Sequence, residues 1–380
     1  MSGARINVLH CCYDDPDNPW VGGGGARRIF ELYRHLLDTV DVTIATGAYP
    51  GAREGRFHGL GVLRLGNGRT YFGSRLTYVA AASQLLRTAH YDVAIVDHSA
   101  YAPVMIPSGR PVGMTVHHLT GPVARERWGR LGGAALARVE RATLRRARVL
   151  SATSSATEQA LRAILAPDVR IARVSSGVAD EFFGLVRHEA DYVAYVGRLD
   201  AVQKGLDVLL DAWALFCRSN LTTHLFIAGR GPHERILRAQ AERLGLDTRV
   251  TFLGALANDA RNTLLAGAAC QVMPSRFEGF GIVAAEALAA GVPLIVSDDP
   301  SLREIVGGPD AGVVVPRGDV DALAGALQRL LLDGAGRIRL SARGKARAEQ
   351  FRWRVVADAH IEYLHSIIAA GGRSGYQSRA

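Results

Sequence analysis

The sequence predicts an α/β protein made of two doubly wound, mainly parallel sheets. Three observations lead there. The chain has 380 residues, more than one hydrophobic core usually holds, so at least two domains are expected. Short apolar runs alternate with amphipathic stretches throughout, the signature of repeated βαβ units. The alternation breaks off and restarts around 180–190, which marks the join between the two domains.

Taken in order, residues 5–10 read as a short strand. A loop rich in Asp, Pro and Gly follows and ends in four glycines at 22–25. Ile29, Leu32, Tyr33, Leu36 and Leu37 then recur at helical spacing over 26–38. Residues 40–45 and 62–65 are strands, 74–89 a helix, and 93–97 a strand ending at His98. Residues 111–116 form a strand ending at His117 and His118. An arginine-rich helix covers 130–147, then come strand 149–153, helix 156–165 and strand 170–174. In the second half, strands are expected at 191–196, 224–228, 250–253, 270–273, 293–296 and 312–315. Helices are expected between them at 205–216, 233–244, 258–267 and 281–290, with another at 319–332.

This assigns 1–185 to the first domain and 186–354 to the second. A C-terminal helix at about 355–370 is expected to pack back on the first domain, and 371–380 to be a disordered tail. Ligands of open α/β sheets bind at the carboxyl ends of the strands. Residues just after strands are therefore the candidates for chemistry.

Composition narrows the function classes. Hydrophobic residues make up 48% and charged residues 21%, a balance that excludes a largely disordered chain. No apolar run reaches the ~18 residues of a membrane span, and the N-terminus lacks a leader-type apolar stretch. A cytoplasmic chain without a removed leader is expected. Cys11 and Cys12 are adjacent, Cys217 and Cys270 are isolated, and no CxxC occurs, so reduced thiols are expected. The net charge is +9, but of 45 basic residues only Lys204 and Lys345 are lysines. An arginine excess of that kind reflects coding bias more than nucleic-acid binding. It also singles out Lys204, a lysine kept where arginine is the rule.

Two clusters carry chemistry. Gly197-Arg198 follows a strand, and Lys204 opens a helix six residues on. Both cations can converge on one anion with the amides of that helix start. The second cluster is Ser275-Arg276-Phe277-Glu278-Gly279-Phe280-Gly281, also after a strand and opening a helix. Its glycines permit close backbone approach, and the helix start offers free N–H groups. Glu286 follows Glu278 by eight residues, a little over two turns, which places both on one helix face. Among its alanine neighbours, Glu286 is an acid suited to a pair of ligand hydroxyls.

Gly-Arg-x5-Lys-Gly at 197–205, Ala-Gly-x-Gly-Pro at 228–232, Val-x-Phe-Leu-Gly at 250–254, Glu-x7-Glu from Glu278 to Glu286, and Glu-Ala-Leu-Ala-Ala-Gly-Val-Pro at 286–293 occur in this order. The set resembles the family 4 retaining glycosyltransferases of the GT-B fold, densely over 190–320. The first half matches through the glycines at 22–25 and Thr-Val-His at 115–117. The resemblance implies two Rossmann-like domains facing across a cleft.

It also implies roles. Arg198 and Lys204 would hold the diphosphate of a nucleotide-sugar donor, with the amides of Phe280, Gly281 and Ile282. Glu278, beside Gly279, would bind donor-sugar hydroxyls, and Glu286 the ribose hydroxyls. Leu253 would meet the base, and Gly229, Arg230 and Gly231 would lie beside the nucleotide. From the first domain, Gly23 and Gly24 would approach the phosphates, and His117 the reaction centre. His118 stands where the family often has aspartate. His98 and His118 are acceptor-side candidates. The expected reaction is sugar transfer with retention, the leaving phosphate taking the acceptor's proton. The usual two-carboxylate scheme has no clear candidates here.

No metal or cofactor is expected. Asp319-Val320-Asp321 reads as DxD but opens a helix, where aspartate serves as a cap. Eight arginines fall within 125–148, opposed by Glu126 and Glu140. Leu131, Leu136, Val139 and Leu144 are read as that helix's core face, so a solvated basic face is favoured over membrane contact. A monomer or homodimer is expected, with no nucleic-acid partner. The donor is expected to be a UDP-sugar, and the acceptor a small cyclitol, aminocyclitol or natural-product core. A lipid acceptor and an inactive nucleotide-sugar-binding protein are the alternatives. A 2-epimerase is disfavoured for want of first-domain acid/base carboxylates.

Overall fold

The computed structural model describes residues 5–20, 24–219 and 222–375. The chain divides into two compact units. One runs to Gly177 and resumes at Trp353; the other is Val178–Arg352.

In the first unit the order is β1 (Ile6–Cys11), α1 (Gly24–Arg34), β2 (Val40–Gly47), β3 (Gly55–Phe57), β4 (Leu60–Leu65), α2 (Tyr71–Thr88), β5 (Val93–Asp97), β6 (Val112–Val116), α3 (Gly121–Leu144), β7 (Val149–Ala152), α4 (Ser155–Arg162) and β8 (Arg170–Arg173). The sheet runs β3-β4-β2-β1-β5-β6-β7-β8. Among the described strands only β3 pairs antiparallel. Strands such as β6 are buried along their whole length, because helices cover both faces of a parallel sheet. Thr70 and Ser154 cap α2 and α4, each accepting an N–H bond from three residues on. Strand order reverses between β1 and β5, so the switch-point crevice lies beyond Cys11 and Asp97.

The second unit holds α5 (Asp180–Phe183), β9 (Tyr192–Val196), α6 (Ala201–Lys204), α7 (Leu206–Cys217), β10 (His224–Ala228), α8 (Glu234–Arg243), β11 (Val250–Gly254), α9 (Asn258–Gly267), β12 (Cys270–Met273), α10 (Ile282–Ala289), β13 (Leu294–Ser297), α11 (Pro300–Val306), β14 (Val313–Val315), α12 (Val320–Leu332) and α13 (Gly334–Ala348). Its sheet, β11-β10-β9-β12-β13-β14, reverses between β9 and β12. Trp213, Leu209 and Leu327 pack in one core cluster of this unit, and Leu288, Ile305 and the alanines of α10 in another. The last helix, α14 (Trp353–Gly375), belongs to the first unit, where Tyr363, Leu364 and Ile367 join its core. Gly113 makes room for it: a Cβ there would stand 2.4 Å from Ile367 Cδ1.

Several expectations change. The first boundary falls at 177/178 rather than 185/186, because Phe182 of α5 is buried in the second unit's core. α14 continues to Gly375, so 371–375 are helical; 376–380 lie outside the described residues. α13 escaped the pattern because its sequence is rich in Gly and Arg and has no apolar stripe. Asp333 starts it by accepting the Gly336 N–H at 2.7 Å. The arginine-rich helix begins at Gly121, with a non-helical residue at Gly129 (φ 69°). Its apolar face is also not all core: Leu144 is buried, but Leu131 is 89% and Val139 40% exposed.

Candidate functional site

At the switch point of the second unit, Gly197-Arg198 follows β9. The Arg198 guanidinium is half exposed, lies 3.1 Å from Asp200 Oδ2 and donates to Gln203 Oε1. Asp200 also caps α6, accepting the Gln203 N–H at 3.0 Å. Lys204 ends α6, and Gly205 turns the chain at φ 64°. A Cβ on Gly205 would sit 2.2 Å from the Pro274 carbonyl oxygen, so only glycine lets α6 lie this close to the loop after β12. That approach brings Lys204 Nζ to 2.6 Å from Glu278 Oε1, which Ser275 Oγ also reaches at 3.0 Å.

The loop is fixed from several sides. Arg276 and Phe277 donate their N–H groups to the Gln203 carbonyl. The Arg276 guanidinium grips Asp207 with two bonds of 2.7 and 2.8 Å. Buried Asp299 accepts the Glu278 N–H at 3.2 Å through one oxygen and caps α11 through the other. Burial pushes the Asp299 carboxyl above its usual range, against the pull of those backbone donors. α10 starts at left-handed Gly281 (φ 90°) with no side-chain cap, so its first N–H groups, Ile282's included, lack the side-chain acceptor a cap would supply. Phe280 packs edge-on to Phe351.

Glu278 and Glu286 do not share a helix face. Glu278 stands in the loop before α10 and turns to Lys204. Glu286 lies on α10, nearly buried, with Oε1 3.9 Å from Arg261 Nη1 on α9. The glycines at 229 and 231 have a packing role that the sequence did not disclose. A Cβ at Gly229 would fall 1.8 Å from the Gly197 carbonyl oxygen, and one at Gly231 2.3 Å from that of Leu199. They let the ends of β9 and β10 close together, with Arg230 exposed between them. Leu253, on β11, is 36% exposed. Asp319 caps α12 by accepting the Ala322 N–H at 2.8 Å.

In the first unit, His117 follows β6 and stands a quarter exposed. Its Nε2 lies 2.7 Å from Asp97 Oδ2, and Thr153 and Thr157 donate to its carbonyl. Asp97 Oδ1 lies 2.9 Å from buried His10 Nε2. Burial pushes the Asp97 carboxyl up, but His117 and His10 override this and hold it well below the usual carboxylate range. Gly23 lies outside the described residues. A Cβ on Gly24 would meet nothing within 4 Å, and one on Gly25 would lie 3.8 Å from His117 Nε2. Among the described residues no packing demands glycine there, unlike at 205, 229 and 231. His118 is exposed. His98 is withdrawn from the acceptor role: its side chain is 1% exposed and turns to buried Glu140 at 3.4 Å.

Two family models match in tandem. "Glycosyltransferase Family 4" covers 22–182 and "Glycosyl transferases group 1" covers 179–347. The chain belongs to the family 4 glycosyltransferases. Among family relatives, it is 35% identical over 182 residues to the phosphatidyl-myo-inositol mannosyltransferase of Mycobacterium leprae, covering 48% of each chain. It is 35% identical over 164 residues to O-antigen chain mannosyltransferase B of Escherichia coli, 43% of this chain and 42% of that one. The chain thus spans about half the length of the curated relatives it matches. Sucrose-phosphate synthase of Thermosynechococcus elongatus superposes with TM-score 0.79 at 23% identity, over 96% of this chain and 100% of that one. Anabaena HepE, solved with UDP and glucose, gives TM-score 0.75 at 21% identity, over 95% and 100%. The fold is GT-B, with two Rossmann-like domains.

Sequence reasoning missed Asp97, His10 and Asp207, and gave the loop residue Asp299 no role. Asp97 was the last residue of an expected strand, and the strand-end rule that selected Arg198 applies to it equally.

Proposed function

We propose that the chain is a retaining, metal-independent glycosyltransferase. It moves a hexose or N-acetylhexosamine from a nucleoside-diphosphate sugar, with UDP favoured, to an acceptor hydroxyl. The observation that carries this reading is the convergence of Arg198, Lys204 and the uncapped start of α10 around the loop that presents Glu278. Departure of a nucleoside diphosphate builds negative charge, and prearranged cations and amides stabilise it. Arg198 is half exposed and held by Asp200, so it is placed to exchange that partner for phosphate. Lys204 likewise leaves Glu278 for the diphosphate, and Glu278 is then available to sugar hydroxyls. Glu286 holds the ribose hydroxyls. Attack comes from the face the leaving group departs, and the leaving phosphate takes the acceptor's proton.

We take the acceptor to be a small polyol such as a cyclitol or aminocyclitol. A lipid acceptor is the second reading, and one observation favours it. Exposed Leu131 and Val139 share α3 with exposed Arg130, Arg138 and Arg141, the pairing of apolar and basic side chains that suits an anionic lipid surface.

The test is a thermal-shift titration with UDP, GDP, ADP and dTDP in EDTA. One nucleotide is expected to raise Tm by several degrees, and Glu286→Ala to abolish the rise. No shift with any of the four would contradict the reading.

A further inference from the structure

A continuous hydrogen-bond chain runs inward from His117. His117 Nε2 meets Asp97 Oδ2 at 2.7 Å, and Asp97 Oδ1 meets His10 Nε2 at 2.9 Å. His10 Nδ1 meets the Tyr33 hydroxyl at 2.8 Å, and that hydroxyl meets His360 Nε2 at 3.3 Å. The members come from β5, the loop after β6, β1, α1 and α14. His10, Tyr33 and His360 are closed off from solvent, and the Asp97 side chain is only 7% exposed.

The protons in this chain can be placed by counting donors and acceptors. Asp97 is ionised and accepts only, so His117 and His10 each direct an Nε2–H at it. Buried Arg28 lies in the field of Asp97 and supplies one compensating positive charge. It is anchored on the carbonyls of Val174 and Ser175. With one positive charge already facing the carboxylate, the ordering that adds no second buried charge has His10 donate through Nε2 alone. Its Nδ1 is then an acceptor, and Tyr33 must donate to it. The Tyr33 oxygen in turn accepts from His360 Nε2–H. Burial drives His360 far below the ordinary histidine range, so it is neutral and its Nδ1 is bare. That Nδ1 is a buried atom with no hydrogen-bond partner among the described residues, as this ordering requires. Every proton points toward Asp97.

From this we infer that Asp97 is a positioning residue that locks His117 as the Nε2–H tautomer, so that His117 Nδ1 presents a lone pair to a hydroxyl of the sugar or polyol substrate. His117 Nδ1 makes no hydrogen bond to any described residue, and the side chain stands at the crevice where strand order reverses. His10 and Tyr33 keep the carboxylate from turning. The inference rests on His117 belonging to the substrate site.

The direct test reads the tautomer. Long-range ¹H–¹⁵N spectra of ¹⁵N-histidine protein at pH 8.5, with the His117 signals assigned by their loss in His117→Gln, are expected to show a protonated Nε2 and a bare Nδ1. Asp97→Asn is expected to shift this balance, because an amide can donate to Nε2. An Nδ1–H tautomer or an imidazolium in the unaltered protein, or a tautomer indifferent to Asp97→Asn, would overturn the inference. None of these outcomes depends on turnover, and UDP thermal shift on the same samples reports separately on the proposed function.

The kinetic arm uses UDP-glucose and follows UDP release. Asp97→Asn is expected to lower kcat about 100-fold, with KM for UDP-glucose within about twofold. His117→Asn keeps an acceptor oxygen near the Nδ1 position without needing Asp97. In that background Asp97→Asn should cost nothing further. Costs that simply add in the double variant would make Asp97 structural only.

Discussion

The Lys204–Glu278 pair and the Asp97–His117 pair are built in opposite ways. Both stand at switch points, and both join a cation-capable nitrogen to a carboxylate at under 3 Å. The first is made by short motifs. Gly205 allows α6 to touch the loop after β12, and Arg276, Asp207 and Asp299 fix that loop within the same unit. The second is made by topology. Its chain collects one residue from each of five elements, and Tyr33 and His360 are 327 positions apart. A site held by local glycines leaves a readable signature, while a site held by sheet order does not.

This explains what could be read in advance. The order of strands and helices was legible because parallel strands are continuous apolar runs and the helices between them are amphipathic. α13, with glycines and arginines in place of an apolar stripe, was not. Lys204 and Glu278 were legible because glycines flank them at fixed spacing. Asp97 and His10 were not, since each is one polar residue at the end of an apolar strand. At the glycines 229 and 231 the structure adds a role that spacing does not show: they relieve crowding between β9 and β10. Glu286 does not share a face with Glu278 because the helix, expected at 281–290 and found from Ile282, leaves Glu278 in the loop before it, where helical spacing does not apply.

The comparison can be broken or sharpened by substitution. The largest effect is expected at Gly229→Ala, whose Cβ would overlap the Gly197 carbonyl and whose φ of 139° resists a side chain. A loss of more than about 3 kcal/mol is expected, read as a fall in Tm or failure to accumulate folded protein. A normal Tm would show that β9 and β10 can part freely.

Next comes Arg198→Ala. Turnover should fall about 100- to 1000-fold with Tm nearly unchanged, because the guanidinium is 54% exposed and Asp200 keeps the Gln203 N–H as a partner without it. Lys204→Ala should lose as much turnover, with a modest Tm loss from stranding Glu278. Matched losses of Tm and turnover at Arg198 would make it structural.

A smaller effect concerns acid stability. The folded Asp97 carboxyl lies below its unfolded range, which is near pH 4, so its contribution is present above that pH and fades as pH falls further. Asp97→Asn should flatten the decline of Tm between about pH 5 and 3. An unchanged acid limb would mean the pair with His117 and His10 does not form in solution.

The smallest effect is Gly24→Ala. With nothing among the described residues within 4 Å of the added Cβ, stability should move by less than about 0.5 kcal/mol, read as Tm, while UDP affinity falls. Unchanged affinity would remove Gly24 from the donor site.

On the proposed reading the donor's phosphates belong to the second unit's switch point, and a substrate hydroxyl to His117 as positioned by Asp97. Calorimetric Kd values for UDP in Arg198→Ala and Asp97→Asn test this most directly. The account predicts at least a tenfold loss of UDP affinity in the first and none in the second, although both lose turnover. Equal losses of UDP affinity, or a loss confined to Asp97→Asn, would contradict it.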